Sequence, residues 1–182
     1  MNIIDISKSV NDFKNRQIYK ELTPEILATI PDNNLEQAIV DYIGAKLIDY
    51  RNTLAYVSNM PSGFQIIYST WILESEVNNG GFNQFFINPS GQFTEMALMS
   101  LKRLNATKHY ALLEKAIAIH TQEKESYPLK KLYSRKTLKA FVTSYKYSSL
   151  DKCDKEFYKH GDGLSKLRVQ YIRENPSDFI GN

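Results

Sequence analysis

Three histidines, one cysteine and a few carboxylates are the residues of this chain that could do chemistry, and their spacing decides what kind. A helical zinc site needs two histidines at i, i+4 or a second cysteine; His109, His120 and His160 offer neither, and Cys153 stands alone. His109 and His120 lie in one expected helix, about 16 Å apart along its axis, too far to share an ion. Ser149 and Lys152 have the Ser-x-x-Lys spacing of a lysine-activated serine nucleophile, but the companion motifs of such enzymes are missing. Cys153 has no histidine near it in sequence to generate a thiolate. No glycine-rich phosphate loop occurs. Glu74 and Glu76 are the only charges between Asn52 and Thr94. Two residues apart on a helix, they point about 160° away from each other and cannot act as a facing acid–base pair. Glu76 is expected to bind backbone groups of the loop that follows it. The sequence therefore predicts no catalytic residue, no metal and no cofactor: the chain is not an enzyme.

The elements that hold these residues are helical. Over 182 residues, 42% are apolar and 24% charged, the balance of an ordinary globular domain. Gly (8) and Pro (6) fall between periodic segments, and no run alternates with a strand's period of two. The expected fold is all-α: one compact multi-helix domain spanning 1–182, with an N-terminal helical segment, 1–33, packed on residues 34–179. Early helices are predicted over Val10–Tyr19 and over Pro24–Ile30, with Pro24 at the first helical position after Thr23. A long amphipathic helix follows, capped by Asn33 with Glu36 in capping-box position. Its apolar stripe runs Leu35, Ala38, Ile39, Tyr42, Ile43, Leu47, Tyr50, Leu54, Val57. A second capping-box pattern, Ser62 to Gln65, opens a helix near 63–77 that is apolar on two sides. That helix is predicted to be central, with Trp71 buried and a polar strip at Gln65, Ser69 and Glu76. Later helices are expected at Phe82–Ile87, Phe93–Leu104, Lys108–Glu123, Thr137–Tyr145, Leu150–Lys159 and Leu164–Glu174. The lone cysteine excludes an internal disulfide and suits a reducing compartment. Asp5 interrupts the first apolar run, so no signal peptide is read. Polar residues and Pro61 break up the uncharged stretch 52–73, so no membrane span is read either. A cytoplasmic protein is expected.

The segment Glu76-Val77-Asn78-Asn79-Gly80-Gly81-Phe82-Asn83-Gln84-Phe85-Phe86-Ile87-Asn88 resembles the signature of a bacterial family of unknown function that contains the DNA mimic proteins. The similarity extends over about residues 35–179, through Leu150-Asp151, Phe157-Tyr158, Leu164, Leu167, Tyr171-Ile172 and Asn175-Pro176. The resemblance implies an all-α fold and admits a homodimer. It also implies that at least one relative presents acidic side chains in the pattern of DNA phosphates to a DNA-binding protein. A surface that competes for phosphate sites must be strongly acidic, and this chain has a pI of about 8.8, so whole-surface mimicry is not expected. The motif itself is largely uncharged. Its Glu76, Asn78, Asn79, Gly80, Gly81, Phe82, Phe85 and Asn88 are read as structural: Asn78 to Gly81 as a tight turn, and Phe82, Phe85 and Phe86 as plugs of the core.

Charge is unevenly spread. Residues 1–100 carry 6 Lys/Arg against 11 Asp/Glu, and residues 101–182 carry 17 against 9. Such polarity is either a pair of partner surfaces or two solvated faces that attract each other within the fold. The leading reading is a protein-binding module, a regulator or an immunity-type neutraliser of another protein, with Lys131, Arg135, Lys136 and Lys139 as candidate partner contacts. The alternative is nucleic-acid binding through the basic half. There, lysines are interleaved with Tyr127, Tyr133, Tyr145, Tyr147 and Tyr158, as phosphate contacts and stacking rings would be.

Overall fold

A computed structural model describes residues 10–47, 52–135, 137–160 and 163–180. They form an all-α domain, with no strand among the described residues. A helical stretch at 10–14, shorter than the one predicted to reach Tyr19, comes first. Helices α1 (Pro24–Thr29), α2 (Asp32–Lys46), α3 (Thr53–Ser58) and α4 (Ser62–Ile87) follow. After a 3₁₀ turn (Pro89–Phe93) come α5 (Thr94–Arg103), α6 (Thr107–Glu123), α7 (Leu129–Ser134), α8 (Leu138–Ser144), α9 (Asp151–Lys159) and α10 (Gly163–Glu174), and a final 3₁₀ turn spans Pro176–Phe179. None of the described helices is long and apolar enough to cross a membrane.

Helix α4 is central, packing against α2, α3, α5, α6, α9 and α10. Phe64, Ile66, Ile67, Tyr68, Leu73 and Val77 are all buried, which is why both its sides are apolar. Two details of the sequence reading are corrected here. Trp71 is only half-buried, packing at the edge of the core rather than inside it. Ser69 is not part of a solvated strip: it is fully buried, its hydroxyl satisfied by Ser100 Oγ at 2.9 Å.

Two of the three local capping signals gave way to other partners. Thr23 does cap α1, accepting from Ile26 N at 3.3 Å, with Pro24 at the first position. Helix α2, however, starts at Asp32 without a side-chain cap, and Glu36 accepts a hydrogen bond from Arg168 Nε at 2.7 Å instead. Gln65 likewise makes no capping box; its amide donates back to Met60 O at 2.7 Å. The single long helix expected up to Val57 is two helices, because Leu47 turns extended (φ −78°, ψ 111°). Of its stripe, Leu35, Ala38, Ile39, Ile43 and Val57 are buried, and Tyr50 lies outside the described residues.

Arg168 of α10 is fully buried and binds both Glu36 of α2 and Glu74 of α4. Arg173, one turn on, donates to Leu27 O and Asp32 Oδ1, each at 2.6 Å. The last helix is thereby tied to α1, α2 and α4.

Candidate protein-binding groove

The signature motif is the point at which α4 bends and the basic C-terminal half is fastened to it. Gly80 (φ −159°, ψ 30°) and Gly81 (φ 71°, ψ 179°) interrupt the helix. The second conformation is essentially restricted to glycine. At the bend, Phe82 N donates to the buried Asp154 of α9 at 2.8 Å. Burial pushes the Asp154 carboxyl above its ordinary pKa, and the Phe82 amide partly offsets this. Tyr145 donates to Gly80 O, and Tyr158 to Val77 O at 2.9 Å. Before the bend, Glu76 accepts three side-chain hydrogen bonds, from Gln84 (2.7 Å), Asn88 (2.9 Å) and Ser90 (2.7 Å). It does hold the following loop, but through side chains rather than the backbone groups expected. Phe82 and Phe85 are fully buried, Phe86 is half-buried, and Asn78 and Asn79 are exposed.

The residue that sequence reasoning missed in this motif is Asn83. Its amide donates to Ser144 Oγ of α8 at 2.8 Å, and its carbonyl accepts from Tyr133 of α7 at 2.9 Å. One buried side chain thus clasps the α7–α8 hairpin to the central helix. The signal available was weak: an asparagine inside an aromatic run that was otherwise expected to be core.

Between this hairpin and the aromatic end of α4 lies a groove of about 840 Å³. Phe86 and Ile87 form one wall, Leu132, Tyr133, Leu138 and Phe141 the other, and His120 lies between them. The His120 ring stacks on Phe86 (centroids 4.4 Å, interplanar 15°), and burial lowers its pKa. The outer edge is unusually apolar for a surface, with Leu138 77% and Val142 57% exposed, one turn apart on α8. Lys131, Arg135 and Lys139 are exposed on the same hairpin, and Lys136 lies outside the described residues. The groove is thus lined by the end of the motif, Phe86 to Asn88, and by residues next in sequence to two of these cations, Leu132 and Leu138.

The residues first considered for chemistry do not assemble. Ser149 N donates to Glu123 Oε1 at 2.6 Å, a loop anchor. Cys153 is buried, which raises its thiol pKa. His109 and His160, distant in sequence, meet with ring centroids 5.5 Å apart. Burial, and after it the neighbouring His160, lowers the His109 pKa to about 4. Among the described residues no group of three or more side chains could hold a metal ion.

The fold and groove define a helical scaffold that presents a largely apolar concavity at the end of the kinked motif. The chain belongs to the DMP19-like protein family, whose profile matches residues 58–175, more than half of its length. The match starts later than the similarity at about residue 35 read from the sequence. It contains α4 through the whole of α10, and with them every residue of the motif and groove named above. No curated protein and no solved structure matches the chain.

Proposed function

We propose that this protein acts by binding another protein, as a regulator or neutraliser of it, and that it carries out no catalysis. The observation that carries this reading is the groove with its exposed apolar edge at Leu138 and Val142. Contiguous apolar surface rimmed by polar groups marks an interaction site on a protein that otherwise buries such residues. The family name points to mimicry of DNA, yet the surface beside the groove has the opposite sign, with Lys131, Arg135 and Lys139 exposed. A partner is therefore engaged through shape and apolar contact rather than through a phosphate-like array of carboxylates.

The test is Leu138→Glu with Val142→Glu. Both positions are exposed, so the double variant melts within about 2 °C of the parent, as surface substitutions do. Cross-linking in native host cells then recovers a partner with the parent chain and loses it with the variant. A folded variant that keeps its partner would place the contact elsewhere.

A further inference from the structure

We infer that the groove takes an acidic amphipathic helix of the partner protein, apolar side inward; this rests on the groove being the binding surface. The first argument is shape. Leu138, Phe141 and Val142 occupy one face of α8, since at about 100° per residue they fall within a sector of about 100°. Leu138 and Phe141 of that face line the groove together with Leu132, opposite Phe86. A helix offers apolar side chains at i, i+3, i+4 and i+7 to such a trough. The groove volume of about 840 Å³ accommodates several of them.

The second argument is charge. Around the groove the carboxylates are already engaged: Glu125 pairs with Lys130 at 2.8 Å, and Glu123 accepts from Ser148 Oγ and Ser149 N. Lys131, Arg135, Lys139 and Lys146 are exposed, and among the described residues none has an ion-pair partner. Uncompensated charge of one sign beside an apolar trough selects a partner of the other sign and speeds its arrival. A nucleic acid fits less well. Of the five tyrosines that would have to stack on bases, Tyr133, Tyr145 and Tyr158 are tied through their hydroxyls to Asn83, Gly80 and Val77, which leaves Tyr127 and Tyr147 as the freely exposed rings. Nor does a phosphate backbone benefit from Leu138 and Val142.

The probe is a fluorescein-labelled synthetic peptide of about 16 residues, with leucines at the i, i+3, i+4, i+7 spacing and glutamates elsewhere. Lysine-for-glutamate and serine-for-leucine twins serve as comparisons. Titrated against the full chain, the acidic leucine peptide binds at least about tenfold tighter than its lysine twin, and the serine twin does not bind. Lys131→Glu with Arg135→Glu and Lys139→Glu reverses that preference. The same three changed to Gln remove it, should the reversed variant fold poorly. Equal binding of the acidic and basic leucine peptides overturns the charge assignment, and binding of neither overturns the helix assignment. The groove reading falls separately, only if the Leu138/Val142 variant keeps its host partner. Sub-micromolar binding of a 20-base-pair DNA at about 0.15 M salt, lost in the triple variant, overturns the inference in favour of nucleic acid.

Discussion

Gly81 sits at φ 71°, ψ 179° with its α-carbon facing the Asp154 carboxylate. A β-carbon there would press into that carboxylate while also forcing a conformation side chains avoid. At Gly80 φ is negative (−159°), and an added carbon would meet the Gln84 side chain, closest at its flexible amide end. Gly81→Ala should therefore cost more than about 1 kcal/mol and more than Gly80→Ala. Urea unfolding of the two variants checks the order, and equal costs would remove the special role given to Gly81. The turn was legible from the glycine pair. Its partner was not, because Asp154 lies 72 residues away from the amide it accepts from. His109 yields a pH prediction. Its folded pKa of about 4 lies below the 6.5 of an unperturbed histidine. As pH falls, the unfolded chain takes up the proton first, so stability is lost between about pH 6.5 and pH 4 and levels off below. The loss approaches at most about 1.4 kcal/mol per pH unit. His109→Gln should flatten that part of the profile in urea unfolding at stepped pH; an unchanged slope would assign the loss to other groups.

The α7–α8 hairpin is the element on which the groove depends, and Asn83 is what holds it. Asn83→Ala strands the hydroxyl of Tyr133 and removes the donor to Ser144 Oγ, which keeps its own bond to Phe141 O, at a cost of about 1–3 kcal/mol. Amide exchange across 129–147 should accelerate at least about tenfold while α4 stays protected, because sub-global opening follows local tethering. Uniform acceleration throughout the chain would instead make Asn83 an ordinary core residue. Trp71→Ala should cost less than the roughly 3–5 kcal/mol of a fully buried tryptophan, since the ring is half-buried. Helix existence was largely legible from the 3.6-residue period, but two kinds of feature were not. The break at Leu47 was invisible because the apolar stripe keeps its phase across it. Helix α7 was invisible because its six residues, Leu129–Ser134, start without a capping side chain and carry only two apolar side chains besides Tyr133. Capping boxes failed for a different reason: Glu36 found a tertiary partner in Arg168, and Gln65 a backbone carbonyl, Met60 O, in the turn just before its helix.

At the scale of the whole molecule, the opposed charges of the two halves are partly spent on each other. Arg168 pairs with Glu36 and Glu74, and Arg173 with Asp32, so basic residues of α10 hold acidic residues of α2 and α4. The asymmetry was plain in the sequence, but which cations were internal was not, because Arg168 looks like any arginine on an amphipathic helix. Its burial leaves a further signature, a guanidinium nitrogen, Nη1, with no partner among the described residues. Removing one member of a buried ion cluster leaves an uncompensated charge, whereas replacing the whole cluster by neutral groups is often tolerated. Arg168→Ala should therefore cost about 3–5 kcal/mol, since the Glu36 and Glu74 side chains are only 17% and 15% exposed and would be left facing each other unpaired. Arg168→Met combined with Glu36→Gln and Glu74→Gln should recover most of that loss. Urea unfolding of the single and triple variants decides the matter. A single variant within about 1 kcal/mol of the parent would show that packing of α10, not this cation, joins the two halves.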